Sequence, residues 1–255
     1  MKRLVTRVMS IVPAAFAVLV VVVASSAGLA TAGPPMLAAI DLGTLGGTYS
    51  EAKAVNDSGQ AVGLSYTAGN AALHAFSWTQ AAGMVDLGTL GGTHSEAVAL
   101  NAAGQVVGYS VTASGEFHAF SWTQAGGMVD LGTLGGNQSH ALAVTPGGQV
   151  IGVSFTASGE FHGFSWTQAG GMVDLGDLGG NHSLAAAVNA GGRVVGASVT
   201  AGGEQHPFSW TQAGGMVDLG DLGGTHSGAN AVNAVGQVVG LSGTADGESH
   251  ATLWE

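Results

Sequence analysis

The chain contains no cysteine and carries little charge. Of its 255 residues, 8% are Asp, Glu, Lys or Arg, and 5 are proline. Without cysteine, the chain has no disulfide framework and no thiol to which a lipid could be attached. Disordered proteins combine low hydrophobicity with high charge, whereas 46% of this chain is hydrophobic. A folded protein is therefore expected.

Sequence motifs of common enzymes are also missing. The chain contains no G-x-S-x-G elbow, no H-E-x-x-H helix and no P-loop. Paired carboxylates for glycoside hydrolysis need two environments that separate their pKa values, and near-identical sequence copies offer equal environments instead. The breaks in symmetry are an insertion in the first copy, His140, Pro207 and the last-copy changes. We expect a non-catalytic protein, and a polysaccharide-acting hydrolase or lyase is the alternative.

The N-terminus has the pattern of an export signal. Lys2, Arg3 and Arg7 precede an apolar run over residues 11–23, and Ala30 and Ala32 form an A-x-A cleavage site. An uncleaved anchor is the alternative, because apolar and small residues continue for about 20 positions. We predict a signal peptide over residues 1–32, a linker over 33–37 and one domain over 38–255. The protein would be exported to the cell surface or the extracellular space.

Signal cleavage would leave an acidic protein. It would retain Lys53 and Arg193 against 16 carboxylates, a formal charge of −14. Such a surface repels phosphate backbones, which argues against nucleic acid and anionic lipid as partners. It suits a soluble monomer that makes no membrane contact after cleavage.

One sequence unit recurs every 44 residues, with one additional residue in the first copy. A period of about 20–50 residues is typical of propellers and solenoids. The recurrent residues are His74, His118, His162, His206 and His250, Trp78, Trp122, Trp166, Trp210 and Trp254, and Asp41, Asp86, Asp130, Asp174 and Asp218. We expect them to form a structural core, because each aromatic side chain buries a large area and a histidine among them can donate to neighbouring backbone or to the aspartate of the DLG string.

Four short segments in each copy are predicted to be β-strands. In the second copy they cover residues 95–101, 105–112, 117–123 and 128–134, and glycine-rich turns separate them. The first turn reads NAAGQ, and asparagine followed by glycine three positions later is typical of a short hairpin loop. Each copy is therefore predicted to be a four-stranded antiparallel meander.

Stacking the meanders radially would bury their faces. The predicted fold is all-β, a five-bladed β-propeller of four-stranded antiparallel blades, with a β-solenoid as the alternative. Small residues such as Ser95, Ala97 and Ala99 recur on one face of the first strand and suit the crowded centre of a ring. The chain opens with a fourth-strand segment over residues 37–45 and ends on a third strand over 249–255. We predict that these two segments pair, so that the N-terminal strand closes the ring.

The strings HAFSW, DLGTLGG and GQVVGYS resemble the HAF family of bacterial extracellular repeats. The resemblance covers nearly all of the chain beyond the predicted signal. It implies an exported repeat protein, and it implies no particular activity. Copies depart from the motif at Gly163, Pro207, Thr252 and Leu253. Because proline cannot donate to a ladder, we expect a bulge or a gap in pairing at Pro207.

Two polar series provide candidate ligand contacts. One follows the LGG turn, and the other lies on the hairpin between the second and third strands. They comprise Tyr49, His94, Gln138, His182 and His226, and Glu116, Glu160, Glu204 and Glu248. Loops on a rigid scaffold commonly carry binding residues. We predict five near-equivalent shallow sites for a glycan or an extracellular protein, and a solvated rim without a ligand is the alternative.

Calcium is the candidate metal. Asp177 and Asp221 replace threonine in two DLGDLGG copies. The repeat spacing of known calcium-binding repeats is missing, and a metal needs several ligands within about 2.0–2.6 Å. We therefore expect neither a cofactor nor a metal site, with calcium as the alternative.

Overall fold

The structure is a computed structural model that describes residues 38–255. Within it, Asp41–Glu255 forms one compact unit. The predicted signal peptide, the linker and the first residue of the predicted closing strand lie outside the described residues. In the described part, no helix is long and apolar enough to cross a membrane.

The described chain is all-β, with 19 strands in one mixed sheet and a short 3-10 helix at Ala68–Asn70. Each sequence copy forms one module. The first module comprises β1 (Gly46–Val55), β2 (Ala61–Thr67), β3 (Leu73–Thr79) and β4 (Gly83–Asp86). The second comprises β5 (Gly91–Leu100), β6 (Val106–Thr112), β7 (Phe117–Thr123) and β8 (Gly127–Asp130). The third comprises β9 (Gly135–Val144), β10 (Val150–Thr156), β11 (Phe161–Thr167) and β12 (Gly171–Asp174). The fourth comprises β13 (Gly179–Val188), β14 (Val194–Thr200), β15 (Gln205–Thr211) and β16 (Gly215–Asp218). The fifth comprises β17 (Gly223–Val232), β18 (Val238–Thr244) and β19 (Ser249–Trp254).

Consecutive strands within a module pair antiparallel. In the second module Val106 lies opposite Leu100 on one side and Trp122 on the other, and Phe120 lies opposite Asp130. Neighbouring modules are connected by a parallel bridge. It joins the third strand of one module, which is β3, β7, β11 or β15, to the first strand of the following module. Each described copy is therefore a meander, with four strands in the first four modules and three in the fifth.

Two strands have bounds that differ from the prediction. Strand β5 begins at Gly91, which pairs with Thr112, and a register shift follows before Ser95. Strand β8 ends at Asp130 because its carboxylate Oδ1 accepts a hydrogen bond from the Gly132 N–H at 2.7 Å. This local bond turns the chain away from the ladder.

The first turn of the first, second and fourth modules also joins each of them to the next module. Gly104 has φ +81°, as expected for the closing residue of the hairpin loop. The Asn101 Oδ1 accepts from the N–H groups of Ala103 and Gln105, both at 3.0 Å. Its Nδ2 donates to the Thr145 carbonyl at 3.0 Å in the third module. One asparagine therefore orders its own turn and contacts the neighbouring module.

The hydrophobic core lies between neighbouring modules. We call the face that a module presents to the following module its forward face, and the opposite face its rear face. Between the second and third modules, the forward face supplies Val107, Ala119 and Leu131, and the rear face supplies Ala141, Val150, Phe164 and Trp166. Equivalent clusters fill the other three interfaces. Ala141 has 0% exposure, so the small residues of the first strand allow close approach between modules.

The predicted closure of the ring is wrong for the described residues. Strand β19 pairs with β18 and with no other described strand, and residues 38–44 form no strand. Leu45 instead bridges Thr67 of the first module. The Leu45 N–H donates to the Ser65 hydroxyl at 2.9 Å, and the Ser50 hydroxyl donates to the Gly43 carbonyl at 2.7 Å. These bonds hold residues 43–45 on the first module.

Pro207 removes a hydrogen bond between two modules. At the equivalent position of the second module, the Ala119 N–H donates to the Ser139 hydroxyl of the third module at 2.8 Å. Proline has no N–H, and the corresponding Ser227 hydroxyl instead lies 3.0 Å from the Ser242 hydroxyl. The expected bulge or gap in strand pairing is absent, because Pro207 stays paired with Ala197 in an unbroken register. The position of its missing N–H faces the next module instead of the ladder.

Replacing Ser139 with alanine is expected to lower the free energy of unfolding by about 1–3 kcal/mol. The buried Ala119 N–H would lose its acceptor, which costs its desolvation. Ser158→Ala, in the same module, is the control and should cost less, because this exposed hydroxyl bonds two side chains and no buried backbone N–H. Urea unfolding measures both values, and equal losses in the two variants would contradict this role for the serine.

Candidate functional site

The recurrent histidines and aspartates pair within modules. The His118 Nδ1 lies 2.9 Å from the Asp130 Oδ2. The same contact joins His74 with Asp86, His162 with Asp174, and His206 with Asp218. Trp122, Trp166 and Trp210 are buried in the interfaces, while Trp78 and Trp254 at the two ends are half-buried. These residues act in packing and within-module bonding.

One histidine and one aspartate of the two series, near opposite ends of the described chain, lack this pairing. His250 lies 3.2 Å from Glu248, and Asp41 accepts a hydrogen bond from the Gly43 N–H at 2.9 Å. Neither residue has the histidine–aspartate contact of the other four modules in the described part of the chain. The two unpaired members belong to opposite ends of the repeat.

The glutamate series stays beside the structural histidines. The Glu116 carboxylate lies 3.9 Å from the His118 Nε2 and accepts from the Ser114 hydroxyl at 3.1 Å. Glu204 and Glu248 make the equivalent contact to the histidine of their own module, and Glu160 accepts from Ser158. The parallel bridge from Phe117 to Gln138 brings Glu116 to the same sheet edge as the other predicted series. No ion pair joins the two series within residues 38–255.

The members of the other predicted series have different surroundings. Tyr49 packs edge-on against Tyr66, with ring centroids 6.2 Å apart. His182 lies 5.3 Å from Phe161, Gln138 is half-buried and His226 is exposed. His94 belongs to a larger group of rings. The five positions are therefore not equivalent in the structure, which corrects the expectation drawn from the repeat.

Four rings pack together where the second module meets the third. We call His94, Tyr109, Phe117 and His140 the aromatic cluster. The Tyr109 ring stacks on the His140 imidazole with centroids 4.4 Å apart, and it lies 6.0 Å from both His94 and Phe117. All four residues are half-buried, so part of the cluster faces solvent.

Strand register assembles the aromatic cluster. Tyr109 on β6 lies opposite Ala119 of β7. The bridge from Phe117 to Gln138 places β9 beside the start of β7. His140 is two residues beyond Gln138 and shares its face, because side chains alternate along a strand. Rigid strands rather than mobile loops therefore position these rings.

A polar chain extends from the aromatic cluster to the first module. The Tyr109 hydroxyl donates to the Glu96 Oε2 at 2.6 Å. The Lys53 Nζ lies 3.8 Å from the Glu96 Oε1 and 2.8 Å from the Glu51 Oε1. The Tyr49 hydroxyl donates to the Glu51 Oε2 at 2.8 Å. Two carboxylates from neighbouring modules thus share one ammonium group.

Burial keeps the aromatic cluster uncharged. It lowers the pKa of His94 and of His140, and the nearby Glu96 carboxylate opposes this effect in part. Burial, together with the hydrogen bond to Glu96, raises the pKa of Tyr109. At neutral pH the cluster therefore presents two neutral imidazoles and a neutral phenol.

Acid is expected to destabilise the protein through His140. Its folded-state pKa lies below the ordinary value of 6.5, so its contribution to stability is complete above about pH 6.5 and is lost as pH falls through the lower, folded value. His140→Leu introduces the residue that the fourth module has here and should reduce the fall in melting temperature between about pH 7 and pH 5. His226→Leu is the control and should leave that fall unchanged. Equal acid sensitivity in wild type and His140→Leu would contradict the prediction.

Further rings extend this surface. Phe155 and Phe161 lie 5.2 Å apart, and Phe161 also packs against His182. We call the aromatic cluster, together with Tyr49, Tyr66, Phe155, Phe161 and His182, the aromatic strip. The fifth module has Gly243 and Ser249 at the positions of Phe155 and Phe161. The fourth module already has Val199 and Gln205 at these positions and contributes only His182, so the strip ends at the start of the fourth module.

Sequence reasoning missed most of this strip. It identified His140 as a break in symmetry but did not connect it with Tyr109, Phe117 or Glu96. The available signal was variation within a constant repeat. One first-strand position reads Glu51, Glu96, His140, Leu184 and Gly228, and the facing second-strand position reads Leu64, Tyr109, Val153, Ala197 and Leu241.

The candidate calcium residues contact histidines. The Asp177 Oδ2 lies 3.1 Å from the His162 Nε2, and the Asp221 Oδ2 lies 2.9 Å from the His206 Nε2. Each aspartate also accepts from a backbone N–H of the following turn. Within residues 38–255, no group of three His, Cys, Asp or Glu side chains has an arrangement that could hold a metal ion.

The described residues define an all-β repeat protein with an aromatic strip across its modules. No protein-family model matches the chain, and no curated protein matches its sequence, so the resemblance to the HAF family stays a prediction. The chain is similar to TolB from Acinetobacter baumannii, with 13% identity and a TM-score of 0.44 over 77% of this chain and 51% of that one. It is also similar to a gluconolactonase from Xanthomonas campestris, with 10% identity and a TM-score of 0.42 over 80% of this chain and 71% of that one. The chain spans about half the length of the TolB structure, and neither similarity carries an argument about its function.

Proposed function

We propose that this protein is an exported, non-catalytic binding protein that holds a neutral glycan along the aromatic strip. The observation that carries the proposal is the aromatic cluster, in which partly exposed rings lie beside hydrogen-bonding carboxylates. Sugar rings pack their apolar faces on aromatic side chains, and their hydroxyls donate to carboxylates and exchange hydrogen bonds with imidazoles. Export rests on the predicted signal over residues 1–32.

We also propose that the modules fan around an axis, as the blades of a β-propeller do. The first strands of consecutive modules contact one another, whereas extensive contacts of β4, β8, β12 and β16 are confined to the third strand of their own module. Modules that lie close together at their first strands and farther apart at their fourth strands support a radial arrangement. A linear solenoid would keep neighbouring coils equally spaced throughout.

The charge of the strip supports a neutral ligand. Lys53 is the one basic residue that borders the strip in the described chain, and it contacts the carboxylates of Glu51 and Glu96, which border the strip as well. The two carboxylates outnumber the single ammonium group, which disfavours phosphate and sulfate groups. The neutral imidazoles of His94 and His140 each supply one donor and one acceptor, which matches the hydroxyl groups of a sugar.

The Glu51 carboxylate supports binding rather than hydrolysis. Hydrogen bonds from Lys53 and then from Tyr49 lower the pKa of Glu51. A general acid for glycoside cleavage needs a raised pKa. Glu51 is therefore suited to accept hydrogen bonds and unsuited to donate a proton.

A glycan array with wild type and two variants tests the proposal. Wild type should retain neutral oligosaccharides, and Tyr109→Ala should weaken their binding at least about tenfold, because the ring at the centre of the cluster is lost. Tyr109→Phe keeps the ring and should retain most of the affinity. His226→Ala alters an exposed histidine outside the strip and serves as the control. Absence of glycan binding by wild type, or equal binding by Tyr109→Ala, would overturn the proposal.

A further inference from the structure

Two grooves open between neighbouring modules beside their fourth strands. One lies between the second and third modules and has a volume of about 350 Å³. We call it the edge groove, and its lining includes Ser121, Thr123, Gly127 and Val129 of the second module and Trp166 and Gln168 of the third. An equivalent groove of about 260 Å³ between the first and second modules includes Ser77, Thr79, Val85 and Trp122. Every residue of the described chain that lines either groove is uncharged, so both suit an uncharged ligand.

The edge groove presents hydrogen-bond donors that have no acceptor. The Ser121 hydroxyl oxygen accepts from the Gln105 Nε2 at 2.9 Å, and the Thr123 hydroxyl oxygen accepts from a backbone N–H at 3.0 Å. Within residues 38–255 neither hydroxyl donates, so each keeps its hydrogen for a ligand. Trp166 is 9% exposed, and its indole N–H also lacks an acceptor there, whereas that of Trp254 donates to a backbone carbonyl. A ligand with neutral acceptors, such as carbonyl oxygens, would satisfy these groups.

Strand β8 forms one wall of the edge groove, and one of its two edges is unpaired. It pairs with β7 and with no other described strand. The Leu131 N–H donates to the Ala119 carbonyl of β7 at 2.9 Å, and the backbone groups of successive residues point to opposite sides of a strand. The N–H and C=O groups of Met128 and Asp130 therefore point away from β7. They can bind a strand that is added at this edge.

The edge of β8 is weakly protected against strand addition. Proteins usually protect an exposed edge with a short strand, with lysine or with proline. Strand β8 is short, but its sequence GMVD contains neither lysine nor proline. Val129 lines the edge groove and is 43% exposed. An apolar side chain on an added strand would cover it.

We propose that the free edge of β8 and the edge groove bind an extended peptide of a partner protein. The peptide adds to β8 as a further strand, and its backbone exchanges hydrogen bonds with Met128 and Asp130. One apolar side chain enters the groove beside Val129, and carbonyl oxygens accept from the unpaired donors. Strand β4, with Val85, provides a second site of the same kind. A sugar also offers acceptors, but it does not reproduce the alternating N–H and C=O groups that a strand edge requires.

This site is separate from the proposed glycan site. The two grooves and the aromatic strip share no residue. Tyr109→Ala, which should weaken glycan binding, should therefore bind the peptide as wild type does. Peptide binding and glycan binding can fail independently of each other.

Peptides selected from a phage library of random linear sequences on the immobilised full chain test the inference. A selected peptide, synthesised with a fluorophore, should bind wild type in an anisotropy titration. The double variant Val85→Asp/Val129→Asp should weaken this binding at least about tenfold, because the peptide would bury a carboxylate that has no partner. Leu142→Asp is the matched control and should bind as wild type does. Leu142 is 37% exposed, compared with 38% for Val85, and lines neither groove.

N-methylation of the selected peptide tests strand addition without changing the protein. Each methyl group removes one backbone N–H. Methylation should abolish binding at residues whose N–H faces β8 and should be tolerated at the residues between them, so that affinity alternates along the peptide. Uniform tolerance of methylation would overturn the inference.

Other results would also overturn it. These are a selection that yields no peptide, and equal peptide binding by wild type and the double variant. Circular dichroism should show that the double variant keeps its β-structure, because both valines are exposed. Loss of oligosaccharide binding or of self-association in that variant would assign the grooves to a sugar or to a second copy of the chain instead of a partner peptide.

Discussion

Replacing Phe164 with alanine is expected to lower the free energy of unfolding by about 3–5 kcal/mol. Phe164 has 0% exposure and lies in the interface between the second and third modules, where it packs with Val107 and Leu131. Truncation would remove its apolar surface and leave a cavity that rigid strands on both sides cannot fill. Chemical denaturation monitored by tryptophan fluorescence measures the loss.

Phe161→Ala is the matched control for this change. Phe161 lies on the same strand but is half-buried at the aromatic strip, so its truncation should cost clearly less. The same variant should weaken glycan binding, whereas Phe164→Ala should not do so at temperatures where it remains folded. Equal stability losses in the two variants would contradict the placement of the core between modules.

Gly108→Ala is expected to cost about 3 kcal/mol or more. A Cβ atom at Gly108 would overlap the Glu96 carbonyl oxygen and would lie 3.0 Å from the Ala97 Cα. Backbone atoms in a paired strand cannot move aside as a flexible side chain can. The substitution should therefore force β5 and β6 apart and expose the interface with the first module. Thermal unfolding and hydrogen exchange of the second module measure this effect.

Gly147→Ala provides the control for added volume. Its Cβ would meet no atom nearer than the Thr145 Oγ1 at 3.8 Å. The second module has Ala103 at the same place, so this change should be neutral or stabilise by up to about 1 kcal/mol. If Gly108→Ala changed the free energy of unfolding as little as Gly147→Ala, then β5 and β6 would not be packed as described.

Features repeated in every copy could be predicted from the sequence. Asn101 and Gly104 indicated a tight first turn, and both take the expected roles. His118 was expected to contact Asp130, and it does so at 2.9 Å. Such contacts depend on residues close in sequence within one copy. The same local requirement recurs in each module, so the repeat itself reveals it.

Features that depend on differences between copies could not be predicted in this way. The aromatic cluster needs Tyr109 from one module and His140 from the next, and their distance is set by a bridge between β7 and β9. The sequence suggested five near-equivalent sites because it showed the constant positions most clearly. The ligand contacts that we propose lie at variable positions, where one copy differs from its neighbours.

The predicted ring closure failed for a related reason. The matching strand types showed that residues 37–45 and 249–255 could pair. They did not show whether the two segments do so. In the described residues Leu45 is bridged to Thr67 of its own first module, and β19 pairs with β18.

The number of glycans bound per chain tests the central claim most directly. Isothermal titration with the oligosaccharide that wild type retains best should give about one site per chain, because one aromatic cluster dominates the strip, and Tyr109→Ala should abolish the measurable heat. A stoichiometry near five, with binding unchanged in Tyr109→Ala, would contradict the account and favour equivalent sites on every module.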